Sequence, residues 1–262
     1  MKQYGLFTLV VVFCFSVAGC GGSAPPTSSS ALVMTAGNWE VDAVSKVNGA
    51  KFRFGGSFSQ SGSNITGAMV IQGSSCFSDS PVSSFNVTGQ VNGNSAHLVA
   101  AEGSFQFFTL DLSGAAASLS GTYTFNPAGV NCAADNGTLS AQAVPSLTGA
   151  WSGTFTPSPS AGGAPFTANF TLTQSAINNG TFGLAGTMAA SGNACVTSGT
   201  VSDTTMVGSQ VTSSVGFSGG NLSWSGTVAA GSPARITGTY TYGAALNGCA
   251  SQASGTFTLS KQ

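Results

Sequence analysis

The chain of 262 residues holds 6 Lys plus Arg, 7 Asp plus Glu and 1 His, so 5% of it is charged and the net charge is −1 with His neutral. Soluble domains usually carry roughly 25% charged residues, so here the polar surface is left to Ser, Thr, Asn, Gln and the backbone. Cations this few and scattered cannot neutralise a row of phosphates, which argues against a nucleic-acid partner, and an anionic membrane surface is an equally poor one.

The N-terminal residues 1–19 set Lys2 ahead of an apolar run from Leu6 to Phe15 and then the small residues Ala18 and Gly19. That pattern reads as a secretory signal peptide. It is too short for a transmembrane helix, which takes roughly 20 apolar residues. The stretch Val17-Ala18-Gly19-Cys20 resembles the lipobox of bacterial lipoproteins. The resemblance implies cleavage before Cys20, acyl chains such as palmitate on Cys20, and a body anchored to the membrane without crossing it. Gly21 follows where an inner-membrane retention signal has aspartate, so the resemblance implies the outer membrane, facing either periplasm or exterior. Residues 20–36, the lipidated Cys20 and then GGSAPPTSSSALVMTA, read as a flexible tether rich in Gly, Ser and Pro.

The body is written twice. LSGTYTFNPAGVNC (119–132) returns as ITGTYTYGAALNGC (236–249), and the openings Gly37-Asn38-Trp39 and Gly149-Ala150-Trp151 match. This divides the chain into repeat 1 over 37–144, a joint at 145–148 and repeat 2 over 149–262. So short a joint makes the two bodies close neighbours. Within each repeat the apolar period is two, as in Phe166, Ala168, Phe170 and Leu172 alternating with Thr167, Asn169, Thr171 and Thr173. That is the signature of half-buried strand. Gly and Asn punctuate it as hairpin turns do, at Asn92-Gly93 and Asn179-Gly180.

Repeat 1 divides into strands near 38–46, 51–60, 64–72, 83–91, 95–101, 104–112, 118–125 and 137–144. Repeat 2 divides into strands near 151–156, 165–174, 181–189, 198–207, 209–217, 220–229, 234–242 and 253–260. No convincing helix follows the signal. The expected fold class is all-β, two tandem antiparallel up-and-down (meander) β-barrels of about eight strands each, a closure that removes exposed sheet edges. β-Sandwiches of the same strands are the alternative. Gly-x-Trp and the pentapeptides Leu147-Thr148-Gly149-Ala150-Trp151 and Ile236-Thr237-Gly238-Thr239-Tyr240 resemble strands of the small avidin and lipocalin barrels. The resemblance implies a barrel that binds small ligands inside; no biotin-binding residue is carried over from it.

Of the six cysteines, Cys14 leaves with the signal and Cys20 takes the lipid. The remaining Cys76, Cys132, Cys195 and Cys249 allow three disulfide connectivities. The repeat selects Cys76–Cys132 and Cys195–Cys249, one bridge per barrel, joining loops at the same end so that each bridge straps a mouth. A zinc site would want close cysteine pairs with histidines, so no metal and no cofactor is expected.

Chemistry is sparse. From Ser146 to Gln262 the charged side chains are Asp203, Arg235 and Lys261, with no paired carboxylates and no histidine base. His97 with Asp111 and a serine would make a triad, but no Gly-x-Ser-x-Gly elbow accompanies it. Lys51 and Arg53 face Glu40 and Asp42 as cross-strand charge pairs. Trp39, Tyr123, Trp151 and Tyr240 occupy matching positions in the repeats and either line a ligand pocket or fill the barrel cores. The expectation is therefore a non-enzymatic, lipid-anchored cell-envelope protein acting as a binding or interaction module, with an unknown protein or small-molecule partner. The alternatives are a lipocalin-like carrier of a small apolar ligand, distinguished by an aromatic-lined cavity beneath the strap, and an enzyme inhibitor presenting the loop 157–163.

Overall fold

The computed structural model describes residues 31–74, 84–127, 132–159, 164–177, 179–244 and 253–262. The first eight strands are β1 (Gly37–Ser45), β2 (Lys51–Ser61), β3 (Asn64–Gln72), β4 (Ser84–Asn92), β5 (Ser95–Glu102), β6 (Phe105–Ala115), β7 (Ser118–Phe125) and β8 (Asp135–Ala143). The second eight are β9 (Gly149–Pro157), β10 (Phe166–Ala176), β11 (Phe182–Ser191), β12 (Gly199–Val207), β13 (Gln210–Phe217), β14 (Gly220–Ala229), β15 (Arg235–Ala244) and β16 (Ala253–Lys261). Each set is an antiparallel meander closed into a barrel, by β1 on β8 and by β9 on β16. The described residues contain no helix.

Alternation decides the wall. Along β10 the first seven residues alternate buried and exposed without a break, apolar side chains inward and hydroxyls outward. A slip of one residue would turn every phenylalanine of the strand to solvent, so burial of one face fixes the register. Glycines with positive φ sit in the tight turns, Gly93 and Gly208 among them, where a Cβ would strain the backbone. Each barrel has its own apolar core.

The tether read from the sequence stops short of residue 36. Residues 31–36 lie against one end of the first barrel, with Leu32 and Met34 buried in its core. Leu32 N–H donates to Gly93 O (2.7 Å) and Thr35 N–H to Ala116 O (2.8 Å), so the segment crosses the β4–β5 and β6–β7 turns. Gln60 Oε1 accepts from Met34 N–H (2.7 Å), and the Trp39 indole N–H donates to Thr35 O (2.7 Å). The second barrel repeats the device: Gln174 Oε1 accepts from Leu147 N–H (2.7 Å), and Trp151 Nε1–H donates to Leu147 O (2.7 Å). Each barrel is thus floored by the residues that precede its first strand.

The two barrels touch directly. The β12–β13 turn of the second meets the outer wall of the first, where Asn38 Nδ2 donates to Gly208 O (2.7 Å) and Ser209 N–H donates to Glu40 Oε2 (2.7 Å). Gly55 makes room for it, because a Cβ there would run into Gly208 N and Val207 Cγ1. Val70 and Val207 are buried but belong to neither barrel's core. The charge cluster read as cross-strand pairing therefore has a second duty: Arg53 bonds Asp42 (2.9 Å) and lies 3.7 Å from Glu40, which it steadies against the neighbouring barrel.

Candidate functional site

The ends opposite the floors are the mouths. In the first barrel the β3–β4 and β7–β8 connections emerge at the mouth, and in the second the β11–β12 and β15–β16 connections do. Cys132 and Cys195 lie in these connections, and neither is a free thiol. Cys76 and Cys249 lie outside the described residues, as do Cys20 and residues 160–163 of the inhibitor-type loop.

A cavity of about 370 Å³ opens at the first mouth. Phe52, Phe108 and Phe125 form its aromatic wall, Cys132 and Ala133 border it, and Lys51 and Asp135 are its charged members. Behind it the rings pack edge to face, Phe52 on Tyr123 with centroids 5.2 Å apart and Phe54 on Phe108 at 5.0 Å. Such geometry places positive ring edges on negative ring faces and makes a firm wall.

Asp135 opens β8 on the same inward face as Leu139 and Ala141, and three donors hold it. Ser45 Oγ–H donates to Oδ1 (2.8 Å), the Asn136 backbone N–H donates to Oδ1 (2.7 Å), and Tyr123 O–H donates to Oδ2 (2.7 Å). Ser45 Oγ in turn accepts from Val47 N–H (3.1 Å) and Asn48 N–H (3.3 Å), tying the β1–β2 loop to the rim. Burial, and then the Asp135 carboxylate, hold the Tyr123 phenol well above its ordinary pKa, so it remains a donor.

The second barrel differs where the first is polar and open. Register equates Tyr123 with Tyr240, Ser45 with Pro157 and Asp135 with Ala253. Among the described residues neither the buried Tyr240 hydroxyl nor the Trp224 indole N–H has a hydrogen-bond partner. Burial, and then Tyr242, push the Tyr240 pKa up to about 12. Four interior positions also grow: Ala43, Gly56, Leu110 and Leu139 correspond to Phe155, Phe170, Trp224 and Phe257. Four phenylalanine positions shrink in exchange, Phe54, Phe58, Phe85 and Phe108 to Ala168, Leu172, Gly199 and Leu222. In the second core Phe155 stacks on Phe166, the counterpart of Phe52, at 4.9 Å and on Phe257 at 5.1 Å.

Trp39, Tyr123, Trp151 and Tyr240 are all buried in the two cores, and the cavity is lined by phenylalanines instead. Their repetition signalled shared architecture, whereas Phe108 and Asp135, whose counterparts are Leu222 and Ala253, carried no such signal. His97 Nδ1 does meet Asp111 Oδ1 at 2.7 Å, on the outer wall with both side chains more than half exposed. No serine hydroxyl bonds His97 there, so the described residues assemble a pair and not a triad.

No protein-family model matches the chain, and no curated protein matches it. Among solved structures, kievitone hydratase from Nectria haematococca matches over 91% of this chain and 93% of that chain, at 10% identity and a TM-score of 0.27. A superposition that loose carries no argument about either fold or activity.

Proposed function

We propose that the protein is a non-enzymatic, lipid-anchored binding protein of the cell envelope whose first barrel takes up a small, largely apolar ligand. The supporting observation is the cavity of about 370 Å³ lined by Phe52, Phe108 and Phe125 at the first mouth, above the roughly 300 Å³ at which ordinary ligand sites begin. The second barrel, with Ala253 and Pro157 where the first has Asp135 and Ser45, serves as a scaffold docked against the first. In this reading Cys20 carries the lipid and anchors the chain at the outer membrane. Cys76–Cys132 and Cys195–Cys249 strap the two mouths, which the bonded state of Cys132 and Cys195 supports. By the chain-entropy estimate a loop of this size stabilises by roughly 4 kcal/mol, a sizeable contribution for a chain with 37 glycines.

Native mass spectrometry of the protein from its own host tests the reading. A retained small molecule at one copy per chain is expected, and Phe108→Trp, which narrows the cavity, should release it. A chain that neither retains a ligand nor binds an apolar dye contradicts the proposal.

A further inference from the structure

Building on the reading of the first barrel as a ligand site, we propose that its ligand is a small organic cation, an apolar body carrying a protonated amine that sits against the Asp135 carboxylate and the neighbouring phenyl rings.

Everything that holds Asp135 is neutral: a serine hydroxyl, a backbone N–H and a phenol. These donors fix the carboxylate's direction and replace part of its hydration, but they leave its charge uncompensated. Among the described residues no Lys, Arg or His nitrogen lies within ion-pair distance of it. A carboxylate offers about four acceptor positions, three are taken, and the residue lines the cavity. Phe52, Phe108 and Phe125 line the same space, and ring faces attract cations.

The alternatives fit less well. An anionic ligand would bring its charge towards Asp135. A neutral apolar ligand would strip water from the carboxylate without replacing it, which is costly. An ammonium supplies both the missing donor and the missing countercharge, and charge-assisted bonds of that kind are the strong ones. Lys51, the cavity's other charged side chain, is an exposed residue at the rim. Its field is screened there by water and salt. The second barrel, with Ala253 and Pro157 at the equivalent positions, has no counterpart of this anchor.

Titration calorimetry of the full chain with three probes of one size tests this: 1-naphthylmethylammonium, 1-naphthylmethanol and 1-naphthoate. The cation should bind about tenfold or more tightly than the alcohol, the naphthoate most weakly. Asp135→Asn should bring the cation's affinity down to that of the alcohol. Tyr123→Phe, which removes a donor from the carboxylate and leaves its charge, should keep or sharpen the preference. Equal binding of alcohol and cation, or a preference that survives Asp135→Asn, overturns the cation while leaving the ligand site standing. Binding of none of the three overturns both. Should Asp135→Asn not fold, the comparison of the probes on the native chain and on Tyr123→Phe decides.

Discussion

Tyr123 and Tyr240 are the same residue in two copies of one strand, yet their hydroxyls live differently. Tyr123 donates to a carboxylate, a bond to a charged group that contributes about 1.5–3 kcal/mol. Tyr240 has Ala253 where that acceptor would be, and among the described residues its buried hydroxyl has no partner, at a cost of about 1–3 kcal/mol. Phenylalanine should therefore act with opposite signs at the two sites. Tyr123→Phe is expected to lower the urea midpoint of the first barrel, while Tyr240→Phe leaves the second unchanged or raises it. Equal losses at both sites in urea melts would contradict these assignments. The sequence announced both tyrosines through their Gly-Thr-Tyr-Thr frame, but Asp135 carried no motif. It became visible only when the register set it beside Phe125, within hydrogen-bond reach of Ser45.

At the scale of elements the period-two pattern was enough to find all sixteen strands, because one buried face per strand leaves a regular trace in the sequence. The eight-strand count for each repeat followed from the Gly and Asn turns between them, whereas the choice of closed barrel over sandwich is decided by β1 on β8 and β9 on β16. The floors were not legible in the same way. Leu32 and Met34 sit in a Ser- and Pro-rich stretch that reads as tether, and their burial depends on Gln60, far away in sequence, accepting the Met34 N–H. A polar side chain holding a segment across a barrel end leaves no periodic signal. Each fully buried side chain of this size contributes about 1.5–3 kcal/mol. A chain beginning at residue 37 should thus melt at a lower temperature in its first barrel, with the second barrel's transition unmoved. Calorimetry that finds the first transition unchanged would return residues 31–36 to the tether.

For the whole molecule, duplication produced two barrels and divergence gave them different interiors. Total composition hides this, since both copies are rich in phenylalanine. What differs is which wall positions hold the rings: Phe155, Phe170, Trp224 and Phe257 meet in the second barrel, where the first has Ala43, Gly56, Leu110 and Leu139, and Phe54, Phe58, Phe85 and Phe108 fill the first, where the second has Ala168, Leu172, Gly199 and Leu222. The glycine at 55 and the Glu40–Arg53 pair, unremarkable in the sequence, dock the second barrel onto the wall of the first. Solution NMR of the full chain, titrated to saturation with 1-naphthylmethylammonium, tests this division of labour most directly. Shifts should gather at Val47, Phe52, Phe108, Phe125 and Asp135, with the amides around Trp224, Tyr240 and Phe257 unmoved. Shifts centred on the second barrel's interior, or spread evenly over both, would contradict a ligand site at the first barrel's mouth.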